Sequence, residues 1–158
     1  SPDERARRRL ATVGFVFQFG ELLPELSVEE NVGLPLRLMG RGRRAAAASA
    51  QASLEAVGAA HLGEQSPLTL SGGEVQRAAV ARALVAHPKV VLADEPTGSL
   101  DRSSGHVLWD LLVSTCRELS TAVIAVTHNL ELAARADQVL RLSDGRLEPA
   151  AAARPALI

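Results

Sequence analysis

One stretch of the sequence, residues 70–101, constrains the fold more than any other. It begins with a Ser-Gly-Gly turn at residues 71–73, and a segment as long as one helix follows. A β-branched apolar run at residues 90–93 comes next and ends in two acids, Asp94 and Glu95. A short apolar run of this kind is typical of a strand buried in a parallel sheet. We therefore predict an α/β fold.

The Ser-Gly-Gly turn has the composition of an anion-binding site. Glycines such as Gly72 and Gly73 let backbone N–H groups turn toward a ligand, and Ser71 precedes them. The helix expected after the turn points its positive end at the same place. The turn is therefore a candidate contact for phosphate.

Polar residues stand at the ends of three predicted strands. Asp94 and Glu95 follow the run just described, Gln18 follows an apolar run at 13–17, and His128 follows one at 122–127. Open α/β sheets bind ligands at the carboxyl ends of their strands. Two acids at that edge suit Mg²⁺ and a water nucleophile.

Other segments predict the remaining elements. Ser27 and Glu30 form a capping box, and interruptions at Pro35 and at residues 40–42 divide the stretch 28–66 into two or three short helices. Residues 139–147 predict a hairpin with an Asp-Gly turn. Cys116 lies on an apolar helix face, so we expect it to pack in the core.

In this order and spacing, the motif LSGGEVQR, the strand-end acids and the strand-end histidine resemble those of ABC-type ATPases. The resemblance implies a partial P-loop NTPase-like domain, with a mainly parallel sheet and a helical subdomain near residues 28–66. It further implies that residues 1–148 correspond to the C-terminal two-thirds of such a domain. Residues 149–158 are expected to form a loose tail.

The resemblance assigns roles in ATP hydrolysis with ATP and Mg²⁺ as cofactors. Asp94 would hold the Mg²⁺ shell, and Gln18 would reach the metal or the water. Glu95 would act as general base, a role worth roughly 10²- to 10⁴-fold in rate. His128 would touch the γ-phosphate or position the water.

In this family the Ser-Gly-Gly turn binds a nucleotide held by the facing subunit. Ser71, Gly72 and Gly73 would therefore contact the γ-phosphate of a nucleotide that is bound to a second ATPase subunit. The two subunits would form a homodimer or a heterodimer. Asp101 resembles the family element that crosses this interface and couples the two sites.

The sequence contains no phosphate-binding loop of the form G-x-x-x-x-G-K-[ST]. Its only lysine is Lys89, and Val90 follows it. That lysine normally reaches the β- and γ-phosphates. ABC ATPases carry the loop upstream of the elements found here, so we expect the chain to be inactive in isolation.

Composition narrows the possible partners. A net charge of −1 gives no electrostatic reason to expect nucleic acid, and no run approaches the ~18 apolar residues of a membrane span. The start lacks the apolar segment of a signal peptide. The unusually apolar loop at 19–24 suggests a partner surface, and the resemblance places a transmembrane transporter subunit on residues 19–40. We therefore expect a cytoplasmic protein, peripheral on the inner face of the cell membrane.

Three interpretations fit these motifs. The first is the ATP-binding subunit of an ABC transporter, and Glu74 together with FVFQFGELLPELSVEENV resembles the branch that works on lipoproteins, macrolides and cell division. The second is a non-hydrolysing interaction or regulatory fragment that offers only its Ser-Gly-Gly face to a complete subunit. The third, a DNA-repair or chromosome-organising ATPase, lacks support because heptad arms and basic surfaces are missing from the sequence.

Overall fold

The computed structural model describes residues 2–150, with side chains from residue 4 onward. The chain divides into two compact units, Ser1–Val126 and Thr127–Ile158.

The first unit is built on a three-stranded parallel sheet. Its strands are β1 (Val13–Val16), β2 (Val90–Asp94) and β3 (Ala122–Val126), in the order β1-β2-β3. All strand pairs are parallel. The predicted α/β fold with a mainly parallel sheet is confirmed.

The two faces of this sheet are covered unequally. Phe15, Leu92 and Ile124 are register partners and so share one face, whereas the buried Val16 and Ala93 lie on the other. On the first face Phe15 is 37% exposed and Ile124 is 60% exposed. The helices therefore cover one face of the sheet and leave an apolar face open.

The helices of the first unit lie before and between the strands. They are α1 (Pro2–Thr12), α2 (Val28–Leu38), α3 (Arg43–Ala56), α4 (Gly72–Leu84) and α5 (Arg102–Glu118), with short 3-10 turns at Ala60–Leu62 and Pro67–Thr69. Thus α2, α3 and the first 3-10 turn fall in the stretch for which short helices are predicted.

Helix α4 is the centre of the first unit. It packs against β1, α2, α3 and α5. Its buried residues include Ala78, Ala79, Ala81 and Ala83, whose small side chains let neighbouring elements approach closely. Gly14 in β1 lies so near the helix that an added Cβ would collide with the Ala83 carbonyl. This contact sets the distance between β1 and the C-terminal part of α4.

Helix α2 differs from the sequence prediction at one residue. Pro35 does not interrupt its helix, because α2 continues through it to Leu38 and buries Val28, Val32 and Leu36. Burial of that stripe outweighs the one backbone hydrogen bond that a proline removes.

Cys116 in α5 is 1% exposed, so its predicted place in the core is confirmed. Burial raises the pKa of its thiol to about 11.

The second unit contains a short helix and a hairpin. Helix α6 spans Leu130–Ala133, and β4 (Leu140–Ser143) pairs antiparallel with β5 (Arg146–Pro149). Asp144 and Gly145 have positive φ of 49° and 75°, as the predicted Asp-Gly hairpin turn requires. Pro149 ends β5, and residues 151–158 of the predicted loose tail lie outside the described residues.

Within residues 2–150, none of the helices has both the length and the apolarity needed to span a bilayer.

Candidate functional site

The sheet brings Gln18, Asp94 and Glu95 to the same edge. Val16 ends β1 and is the register partner of Ala93, so the chain reaches Gln18 beside the end of β2. Asp94 is the last residue of β2, and Glu95 follows it. Since the strands are parallel, both carboxyl ends open at this edge.

Glu95 is held in an unusual backbone conformation. Its φ is 44°, in the left-handed region that non-glycine residues seldom adopt. Its N–H donates to the carbonyl of Val126 at 2.9 Å, and its own carbonyl accepts from the N–H of Gly98 at 2.9 Å. The strand hydrogen bonding therefore extends to Glu95 and the chain then turns sharply. This turn leaves Asp94 exposed and Glu95 half-buried.

Gln18 lies against the turn that follows Glu95. Its carbonyl accepts a hydrogen bond from Ser99 Oγ at 3.0 Å. A Cβ added to Gly98 would stand 3.0 Å from Gln18 Nε2, so Gly98 and the Gln18 amide are in close contact. The structure thus places Gln18 next to the segment carrying the two acids.

The Ser-Gly-Gly motif differs in detail from the predicted turn. Gly72 and Gly73 are the first two residues of α4, and neither has a positive φ. Ser71 is the N-cap: its Oγ accepts from the Glu74 N–H at 3.4 Å, while the Glu74 carboxylate accepts from the Ser71 N–H at 2.8 Å and from Ser71 Oγ at 2.6 Å. This capping box starts the helix one residue after the serine.

The capping box also shapes the chemistry of the motif. Hydrogen bonds from the side chain and backbone of Ser71 hold the pKa of Glu74 below its usual range. The N–H groups of Gly72 and Gly73 are in the first helical turn, where no intrahelical acceptor exists. A Cβ added to Gly73 would meet no atom within 4 Å. The backbone here is therefore open to an approaching anion.

Asp101 caps helix α5. Its Oδ1 accepts from the Ser103 N–H at 3.0 Å, from Ser103 Oγ at 2.6 Å and from the Ser104 N–H at 3.1 Å. Side-chain and backbone hydrogen bonds from Ser103 and Ser104 hold the pKa of the Asp101 carboxyl far below its usual range. The carboxylate is therefore ionised at neutral pH and fixed in direction.

The start of α4 and the start of α5 face a common groove of 210 Å³ lined by Gly73, Leu100 and Ser103 among others. A Cβ on Gly72 would lie 3.6 Å from Leu100 Cδ2. The structure therefore brings the Ser-Gly-Gly motif close to the loop that carries Asp101.

His128 belongs to the second unit. It comes two residues after β3 in the chain, and it is exposed. Next to it, the Asn129 N–H donates to Thr127 Oγ1 at 3.1 Å, and Asn129 caps α6. Its assignment to the γ-phosphate or the water stays a prediction.

The donor set fits a metal that is shared with a nucleotide. Among the described residues, no three His, Cys, Asp or Glu side chains are grouped so that they could hold a metal ion. Mg²⁺ usually keeps one or two protein carboxylates and takes its other ligands from phosphates and water. The exposed Asp94 carboxylate, with the neighbouring Gln18 amide, meets that requirement.

Sequence reasoning missed two residues that organise this site. Gln76 in α4 is fully buried, and its Nε2 donates to the carbonyls of Phe17 and Gln18. Arg82 donates to the carbonyls of Gly20 and Glu21. The sequence does show that Gln76 lies on the same helical stripe as apolar alanines, which indicates a buried glutamine. Its hydrogen-bond partners could not be predicted, because they lie 58 and 59 residues away in sequence.

Comparisons with known proteins agree with this geometry. The chain is 50% identical over 144 residues to the lipoprotein-releasing system ATP-binding protein LolD 2 of Caulobacter vibrioides, covering 91% of this chain and 63% of the relative. It is also 50% identical over 149 residues to LolD of Bordetella pertussis, covering 94% of this chain and 64% of the relative. The chain thus spans less than two thirds of these relatives.

A solved structure of the ATP-binding cassette MJ0796, dimeric and bound to ADP and Pi, superposes with a TM-score of 0.80 at 35% identity. The match covers 94% of this chain and 67% of that one. A second dimeric structure of the same bacterial ABC transporter cassette gives a TM-score of 0.81 at 36% identity. The family model described as ABC transporter matches residues 2–98. The chain therefore belongs to the ABC transporter family, within its ATP-binding cassettes.

Proposed function

We propose that this chain is the larger part of the ATP-binding subunit of an ABC transporter, which couples ATP binding and hydrolysis to substrate movement by a membrane partner. The observation that carries the proposal is the strand edge at which Gln18, Asp94 and Glu95 meet. In this proposal residues 1–148 form the C-terminal two-thirds of the ATPase domain, and residues 28–66 form its helical subdomain.

Each residue at the strand edge has its own role in ATP hydrolysis. Asp94 and Gln18 hold Mg²⁺, which when bound neutralises charge on the phosphate oxygens. Glu95 accepts the proton of the attacking water, and its fixed backbone limits where the carboxylate can reach. His128 donates to the γ-phosphate oxygens or positions the water. No single residue of this set suffices, because phosphoryl transfer depends mainly on positioning and charge stabilisation.

A second ATPase subunit completes each site. The open backbone of Ser71, Gly72 and Gly73 faces the γ-phosphate of a nucleotide held by that subunit, where the positive end of α4 stabilises negative charge. Asp101, fixed by its own helix cap, couples the two sites. The dimeric form of the MJ0796 cassette supports this arrangement.

The membrane partner docks on residues 19–40. Several large apolar side chains in this stretch are exposed: Phe19, Leu23, Leu38 and Met39. Exposed apolar side chains of this kind suit an interaction surface. The names of the LolD relatives support lipoprotein release as the process, and hence a place on the cytoplasmic face of the membrane.

The test uses the complete gene product that contains residues 1–158. Phosphate release from Mg-ATP should be measurable, and Glu95→Gln should keep ATP binding while turnover falls by about 10²-fold or more, because an amide cannot accept the proton. Glu118→Gln, an exposed change at the end of α5, serves as the matched control and should leave turnover unchanged. An unaltered kcat in Glu95→Gln would remove Glu95 from the role of base.

A further inference from the structure

The carbonyl oxygen of Gln18 is a meeting point of three segments. It belongs to the loop after β1, and it accepts hydrogen bonds from Gln76 in α4 and from Ser99 in the loop before α5. Those three segments carry the proposed metal contact, the Ser-Gly-Gly motif and the Asp101 loop. One backbone atom thus links every part of the proposed site that lies in the first unit.

Gln76 holds this atom from within the core. The side chain is fully buried, and its Nε2 also donates to the Phe17 carbonyl at 3.0 Å. Burying a polar side chain costs free energy unless its hydrogen bonds are made. Here both donors go to the backbone of the Gln18 loop, while Oε1 finds no protein partner among the described residues. The hydrogen bonds of Gln76 therefore stabilise the loop and not the helix that carries the glutamine.

Arg82 continues the same attachment along the loop. Its Nη2 donates to the Gly20 carbonyl and its Nη1 to the Glu21 carbonyl, both at 2.7 Å. Burial lowers the pKa of this guanidinium, which nevertheless stays charged at neutral pH. Because the two donors form a rigid fork, they fix the direction of two successive peptide units. Gln76 and Arg82 lie six residues apart on α4. Gln76 binds the start of the loop 17–21 and Arg82 binds its end, so one helix holds both ends of the loop.

We propose that Gln76 and Arg82 are positioning residues that bind the loop 17–21 to the Ser-Gly-Gly helix, so that Gln18 and Ser71 move as one body. This inference rests on the proposed function. Since the carbonyl of Gln18 is fixed, its side chain enters the catalytic edge from a set direction. A shift of α4, whose first turn faces the second subunit, is passed directly to Gln18 and to the apolar loop beyond it.

The substitution Gln76→Met isolates the effect of the two donors. Methionine has a similar volume and suits a buried site. Neither carbonyl is left without a donor, because the Phe17 carbonyl also accepts from the Gly20 N–H at 3.0 Å and the Gln18 carbonyl keeps Ser99. The variant should therefore fold.

The chain also offers a matched set for the arginine. Arg82→Met removes both donors, whereas Arg82→Lys keeps a single charged donor. Arg77→Met is the control, because Arg77 on the same helix donates to the Val57 carbonyl at 2.9 Å and not to the loop.

Hydrogen exchange in the complete gene product tests the attachment first. Amides of residues 19–22 should exchange about tenfold faster in Gln76→Met and in Arg82→Met, with Arg82→Lys between them and the wild type. Arg77→Met should leave these amides at the wild-type rate. Unchanged exchange in both methionine variants, or equal acceleration in Arg77→Met, would overturn the proposal.

Steady-state kinetics test the positioning role. In Gln76→Met, kcat should fall about tenfold while KM for ATP stays within about twofold, because the attachment orients Gln18 without contributing to nucleotide affinity. An unchanged kcat despite faster exchange would reject positioning. If the wild type shows no turnover, the proposed function fails, and the exchange comparison alone decides whether the attachment exists.

Discussion

Glu95, the proposed base, has a strained backbone conformation. A non-glycine residue with φ of 44° costs of order 1 kcal/mol or more, so the surrounding hydrogen bonds to Val126 and Gly98 must hold it. Strain of this kind is common at functional sites, where it aims a side chain away from the direction a regular strand would give. The same turn brings Gly98 against Gln18, so the proposed base and the proposed metal contact are positioned by one piece of backbone.

His128 is the residue whose role is most directly tested by substitution. In the complete gene product, His128→Ala should lower kcat by about 10²-fold, with a smaller effect on ATP affinity, because a group that acts on the γ-phosphate or the water is needed mainly in the transition state. Phosphate release and calorimetry measure the two quantities. A variant that loses ATP binding altogether would instead identify a structural histidine.

For single residues, the sequence predicted the features that depend on neighbouring residues in the chain. The acids after β2 and the glutamine after β1 were predictable, because strand and terminus are read from neighbouring residues. The contacts of Gln76 were not, because they join residues far apart in sequence. The positive φ of Glu95 could not be predicted from the sequence either, because residues with positive φ are usually glycine or asparagine.

At the scale of elements, the seam between β1 and α4 determines where the site forms. An added Cβ at Gly14 would collide with the Ala83 carbonyl and stand 3.2 Å from Ala83 Cβ. We predict that Gly14→Ala forces the strand and helix apart and lowers the free energy of unfolding by about 1–3 kcal/mol. Chemical denaturation measures this change.

Gly42→Ala is the control for that substitution. Gly42 precedes α3 with φ of −61°, and an added Cβ meets nothing within 4 Å. It should cost less than about 1 kcal/mol. Equal losses in the two variants would show that the seam is not close-packed.

Element boundaries were predicted less well than element types. Helix α2 passes through Pro35, because the stripe of Val28, Val32 and Leu36 is buried against the rest of the first unit. Tertiary burial of this sort is not visible in a local pattern. The capping box at Ser27, by contrast, was predicted from the sequence and marks the true start of α2, whereas the one at Ser71 was found only in the structure.

At the scale of the whole molecule, the open face of the sheet has a consequence for solution behaviour. Ile124 and Val126 are 60% and 63% exposed and share this face with the exposed Phe15, from which Leu92 separates Ile124. We predict that the 158-residue chain associates at micromolar concentration through this face. Light scattering measures the mass, and the double substitution Ile124→Thr with Val126→Thr should reduce association. A dilute wild-type monomer would contradict the prediction.

In the proposed function, this chain supplies a metal contact, a base and a Ser-Gly-Gly motif, but not the lysine and nested backbone donors that hold triphosphate. Calorimetry with Mg-ATP on the 158-residue chain, beside a phosphate-release assay, tests it most directly. We predict feeble binding and background hydrolysis, because no group places the γ-phosphate at the right distance from Glu95. Both activities should appear when the chain is preceded by the phosphate-loop segment of an ABC ATPase. Micromolar affinity or measurable turnover in the 158-residue chain alone would contradict the claim.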